Sequence, residues 1–203
     1  MMTPFRLLAN PRPTWTAIMQ RRQAILGILF AHILPLAALG LAAQAVAFTT
    51  RPRPASQINP PPPPPTSLLI ECQAGKLVII LAAILAATLL IQLVADSFTC
   101  RASFRQSFTA VAYSLVPWYL CRVCDFIPAL NPWAWIIVGV FGAIILLYCG
   151  IPLTIDPPPA QAFGMFVGGA FLLLLLIVLA ELCMTVWLTH LHMPAAFSLR
   201  LTT

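Results

Sequence analysis

The chain has 203 residues, of which 61% are hydrophobic and only 8% charged, and its mean hydropathy is +0.94. No water-exposed surface can be built from that composition, which excludes a soluble globular domain and makes the bilayer the expected solvent. The formal net charge of +6 comes from eleven basic and five acidic residues scattered among loops, without a basic patch interleaved with aromatics, so nucleic acid is not an expected partner.

A bilayer core about 30 Å thick is crossed by about 20 helical residues. Residues 1–23 read as a cytoplasmic basic arm, because Arg6, Arg12, Arg21 and Arg22 precede the first apolar run and cytoplasmic flanks hold the excess of Arg and Lys. The first span runs from Ala24 to Phe48. It is too long for the apolar core of a cleavable signal peptide and is expected to stay as an anchor. Residues 49–74 form a proline-rich extracytoplasmic loop in which Pro60–Pro65 favour polyproline II, a stiff spacer of about 19 Å. The alternative reading of that strip is a docking site for a partner with an aromatic groove. Asn10, Asn59 and Asn131 each precede proline, which marks turns and leaves no glycosylation sequon.

A second span runs from Leu77 to Ala95 and a third from Ser107 to Ile127, the latter interrupted by Pro117, Arg122 and Asp125. A fourth covers Ala134 to Ile151, a fifth Phe163 to Leu188, and residues 191–203 form a short tail. Continuous Leu/Ile/Val/Ala runs lack the in/out alternation of barrel strands, and lipid offers no partner to an open backbone, so the spans are helices. The expected fold is an all-α membrane domain over residues 24–190, a bundle of about five transmembrane helices with a cytoplasmic N-terminus and a periplasmic or lumenal C-terminus. That count puts Arg101 and Arg105 inside and Arg51, Arg53, Lys76, Arg122 and Arg200 outside.

Ionisable groups within spans cost about 2.5–3.5 kcal/mol on insertion scales, so each needs a reason. Glu181 of the fifth span falls at a depth that Arg122 and Gln44 share, and the spacing predicts an intramembrane Arg122–Glu181 pair with Gln44 as a further partner. Pro35 and Pro117 each remove a backbone hydrogen bond and are expected helix kinks. Gly164 and Gly168, four residues apart, are the expected helix-packing or oligomer face, with Ala82/Ala86 and Ala38/Ala42 as lesser examples. Tyr113, Trp118, Tyr119, Trp133, Trp135 and Tyr148 read as interfacial anchors.

Six cysteines include the pair Cys121 and Cys124, but no second pair supplies the four ligands of a structural zinc site, and whether any of them forms a disulfide is open. His190, His192 and Met193 read as interfacial, and His32 has no evident partner. Asp96 and Asp156 read as solvated flanks. With five acids in the chain and no nucleophile, phosphate-loop or metalloprotease motif, neither an enzyme nor a cofactor is expected.

Four stretches then carry a resemblance: Asn10-Pro-Arg-Pro-Thr-Trp15, Ile33-Leu-Pro-Leu-Ala-Ala38, Val111-Ala-Tyr-Ser-Leu-Val-Pro-Trp118 with Phe126-Ile-Pro-Ala-Leu130, and Leu147-Tyr-Cys-Gly-Ile-Pro152. In order and spacing, over roughly residues 8–188, the chain resembles the Yip family of Ypt/Rab-interacting membrane proteins in its short bacterial form. The resemblance implies five membrane helices, a cytoplasmic N-terminus and no catalytic residues. It places the chain in a bacterial inner membrane, with the Golgi or endoplasmic reticulum as the alternative. The small-GTPase link of longer relatives is not expected here, because the N-terminal arm is short. The expected partners are membrane lipids and another membrane protein or a second copy. The expected function is a membrane-organising or assembly scaffold; the alternatives are an accessory subunit of a larger membrane complex, or a small transporter or channel lined by Gln44, Thr88, Gln92, Arg122 and Glu181.

Overall fold

The computed structural model describes residues 3–21, 23–50, 66–98, 100, 102–124, 127 and 132–190. Arg22, Arg51, Arg53, the prolines 60–65, Arg101, Asp125, Asn131, His192, Met193 and Arg200 lie outside the described residues.

Every element among the described residues is helical. The N-terminal segment, expected as a simple arm, is a helical corner of α1 (Thr3–Ala9) and α2 (Pro11–Gln20). The N–H of Asn10 donates to the Arg6 carbonyl at 2.8 Å, and Pro11 opens α2 at a position where its missing donor costs nothing. The hydroxyl of Thr14 donates to the Asn10 carbonyl at 2.7 Å and holds the corner.

A short helix α3 (Ile25–Ile28) passes through one π turn, Leu29–Ile33, into α4 (Leu34–Thr50). The wide turn falls directly before Pro35, where the regular ladder loses a donor, which gives the expected distortion a physical form. Three further long helices follow: α5 (Thr66–Ser97), α8 (Pro132–Thr154) and α9 (Pro159–His190). Among the described residues, four helical segments are long and apolar enough to cross a membrane: Ile25–Ala47, Thr66–Ser97, Ala134–Thr154 and Pro159–Trp187.

The second span therefore begins eleven residues before Leu77. Helix is present from Thr66, just after the proline run, and nothing between Thr66 and Leu77 breaks it, so residues 66–74 of the expected loop belong to α5. The third expected span differs more. It is a broken pair, α6 (Phe104–Ser114) and α7 (Val116–Val123), joined at Leu115. Pro117 cannot donate to the Tyr113 carbonyl, and Leu115 adopts ψ −4° at the break. A reciprocal capping box opens α6: Ser103 Oγ accepts from the Gln106 N–H at 3.3 Å, and Gln106 Oε1 accepts from the Ser103 N–H at 2.8 Å.

This broken pair is the centre of the bundle. Every residue from Ser107 to Tyr119 is buried, because α6 packs on α3, α5 and α8 while α7 packs on α4 and α8. Its neighbours, by contrast, turn large apolar side chains outward, among them Phe30, Val78, Phe141 and Phe171. Such faces suit lipid, as the continuous apolar runs require.

Two antiparallel contacts set the register. Along α5 and α9, the Trp187 indole lies directly over Gly75, while at the other end Gly164 and Gly168 face Phe98 and Val94, where added Cβ atoms would approach to 3.1 and 3.4 Å. Gly164 and Gly168, expected as a packing or oligomer face, thus pack within the chain. Along α7 and α8, a Cβ at Gly142 would lie 2.7 Å from the Pro117 Cβ, so the kinking proline is also a packing knob.

The N-terminal corner docks on the same end of the bundle as the C-terminus of α8. Trp15 is fully buried, and a Cβ at Gly150 would lie 2.6 Å from its Cζ2. Trp15→Ala is expected to cost about 3 kcal/mol or more through the cavity it leaves, and Gly150→Val about 1–3 kcal/mol through overpacking. Thermal unfolding of the detergent-solubilised variants checks both, and unchanged midpoints would remove this contact from the account of stability.

Candidate functional site

Polar side chains gather at two levels. At the end of the bundle far from the N-terminal corner, Arg122 sits in the last turn of α7, its stem beside Gly40 of α4. Its Nη2 forms an ion pair with Oε1 of Glu181 on α9, and its guanidinium lies 4.8 Å from the centroid of the Trp118 ring, one turn earlier. The two charged side chains are 16% and 22% exposed, so their attraction acts in a medium of much lower dielectric than water. Below Glu181 a cleft of about 50 Å³ runs between α5, α7 and α9, walled by Ile84, Leu115, Tyr119 and Leu173.

Lys76 of α5 is the residue that sequence reasoning missed. It had been placed outside the spans, yet it is 5% exposed within α5, and its Nζ donates to Oε1 of Gln44 on α4 at 3.3 Å. The signal was the end of the proline run at Pro65, which starts the helix early enough to carry Lys76 inward. Two cations, one carboxylate and one amide therefore lie on four different helices at this end, tying α4 to α5 and α7 to α9.

Of the other polar groups proposed for a pathway, Thr88 donates its hydroxyl to the Ile84 carbonyl of its own helix at 2.8 Å. No group of His, Cys, Asp or Glu among the described residues could hold a metal ion. Cys121 and Cys124 are half-buried near the end of α7. A single carboxylate engaged by arginine supplies neither a free base nor a proton chain, so the arrangement is structural chemistry rather than catalysis.

At the opposite level, Tyr113 is the hub. Its ring lies 5.9 Å from Trp15 edge-on and 5.1 Å from His32, and its hydroxyl donates to Oε1 of Gln23 at 3.0 Å. His32 thus gains the partner the sequence did not offer. Tyr113, Trp118 and Tyr119 are all buried, which corrects their assignment as interfacial anchors: they sit on the central helix pair, which α3, α4, α5 and α8 surround. Tyr148 is 52% exposed. Asp96 and Asp156 are exposed at helix ends.

The ion pair generates a quantitative expectation. Glu181→Gln and Arg122→Gln should each destabilise the bundle, and their double-mutant cycle should return a coupling energy of about 1–3 kcal/mol. Strict additivity in thermal or denaturant unfolding would mean that the pair carries no stability of its own.

Three of the four stretches that carry the family resemblance meet in space through Trp15, Tyr113 and Gly150, and the fourth begins one residue after His32. Comparison with curated proteins and with solved structures finds no match. The Yip1 domain matches residues 5–181, a stretch that contains most of the N-terminal corner, the broken central pair and Glu181. The chain accordingly belongs to the Yip1 domain family, and is a non-enzymatic integral membrane protein.

Proposed function

We propose that this protein is a membrane-organising or assembly scaffold that crosses the bilayer five times, with its N-terminus in the cytoplasm of a bacterial cell and the far end of the bundle outside. The broken pair α6–α7 supplies the fifth crossing. Twenty residues from Phe104 to Val123 rise about 30 Å as helix, enough for the hydrocarbon core, and the pair runs antiparallel to α8. Its polar and aromatic composition fits a crossing sheathed by protein. The arginines at the N-terminal end support the orientation, since Arg6, Arg12, Arg21 and Arg105 all lie there. Topology reporters fused after Gln20 and after Val123 should report opposite sides; the same side for both would reduce the crossings to four.

The observation that carries the scaffold reading is the engagement of intramembrane polar groups with one another. Arg122 with Glu181, and Lys76 with Gln44, cross-link helices and leave a cleft of only about 50 Å³ between α5, α7 and α9. A transporter spends such groups on a path; here they hold the bundle in one arrangement. Contacts to partners then fall to the outer helix faces and to the loop between α4 and α5.

Gentle purification of the tagged protein, with mass determination of the particle and identification of what accompanies it, tests the reading. A stable complex or homo-oligomer is expected, with no substrate-dependent flux in proteoliposomes. Solute flux that is abolished by Glu181→Gln would replace the scaffold with the transporter, whereas a stoichiometric association with one membrane enzyme would make the chain its accessory subunit.

A further inference from the structure

At the N-terminal end of the bundle, α2 stands away from the outer side of α8 and α9 and leaves a groove of about 520 Å³. That volume lies within the roughly 300–1,000 Å³ of sites that enclose small ligands. Its two parts differ in chemistry. At the rim, Arg12 is the one charged side chain among the lining residues, and Thr16 lies one turn further along α2. Along the walls lie Tyr148 and Leu153 of α8 with Phe163 and Phe166 of α9. The rings of Tyr148 and Phe166 meet edge to face at 5.0 Å, and Phe163 is 71% exposed on a helix whose other outward side chains are apolar.

A cation therefore stands over one end of an aromatic slot that opens sideways on the lipid-facing surface, at a bundle end rather than at mid-span. We propose that this groove binds one anionic glycerophospholipid, its phosphodiester against Arg12 and an acyl chain along Phe163 and Phe166. Charge favours that occupant. No acid occurs before Glu71 in the sequence, so the N-terminal corner carries Arg6, Arg12 and Arg21 without an acidic residue of its own. An arginine on a phosphodiester forms charge-assisted, often bidentate hydrogen bonds, and a net negative headgroup adds attraction to a basic surface. A second copy of this chain would bring further arginines to a cationic rim, and a wholly apolar guest would leave Arg12 without use.

The full chain, purified in neutral detergent, is titrated with phosphatidylglycerol or phosphatidylcholine and read by native mass spectrometry. One phosphatidylglycerol should be retained in preference to phosphatidylcholine, and Arg12→Gln should weaken that retention about tenfold. Arg21→Gln removes an equally exposed cation from the same end but outside the groove, and should leave retention unchanged. Ala162→Trp fills the groove and should abolish retention while thermal unfolding stays cooperative. Equal retention of both lipids by the wild type would overturn the proposal. So would equal weakening by Arg21→Gln, which would assign the effect to the charge of the whole end, or undiminished retention by Ala162→Trp.

Discussion

Lipid supplies no hydrogen-bond partner and almost no dielectric screening, so any helix that is broken or polar must be wrapped by other parts of the protein. The pair α6–α7 is such a helix. It carries a proline break, three aromatic residues with polar atoms and two arginines, and it is the stretch in which every residue from Ser107 to Tyr119 is buried. The rest of the fold follows from that requirement. The long helices around it have apolar outer faces because they stand between the pair and the hydrocarbon. Gly142 of α8 is small because Pro117 must approach it, and Gly40 of α4 because Arg122 passes there.

The same enclosure explains what could be read from the sequence and what could not. Helices α4, α5, α8 and α9 announce themselves because their lipid-facing sides fill the sequence with unbroken apolar runs. The central pair contains Ser107, Thr109, Ser114 and Arg122, and hydropathy measures what a helix would meet in lipid, whereas this pair meets protein. Tyr113 and Trp118 were misplaced for the same reason: an aromatic residue with a polar tip suits a bilayer interface or a protein interior equally well, and only the fold decides. The ion pair was legible because a carboxylate within a span demands a cation, and Arg122 lay at a matching depth. Lys76 was not, since a polar residue just before an apolar run looks like the run's boundary. Gly164 and Gly168 were legible as a close contact but not as to partner, because spacing tells that a helix approaches and not which chain supplies it.

The two polar levels do different work in the bundle. At the far end, charges join helices that are distant in sequence: Arg122 and Glu181 are separated by the whole of α8, and Gln44 and Lys76 by the proline-rich loop. At the near end, the neutral groups around Tyr113 join α2, the π turn and α6, with Gly150 of α8 against Trp15. Neutral hydrogen bonds and ring contacts carry little desolvation cost, so they suit a joint made by a peripheral hairpin. Ion pairs in a shielded place are costly to separate and suit a joint meant to stay closed.

That division bears on how the family's sequence pattern should be understood. A tryptophan in an N-terminal corner, a tyrosine in a central helix and a glycine in α8 have no common chemistry, yet they form one contact. The pattern therefore records the docking of a short hairpin onto a bundle, not a reaction centre, and the hairpin's outer face remains to meet whatever lies at the membrane surface. Arg12 is exposed while Trp15, three residues later, is fully buried. Three residues along a helix, the two side chains stand only about 60° apart around α2, so Arg12 lies at the margin of the buried face, and the contact that fixes the hairpin to the bundle is the same contact that fixes where its charge stands.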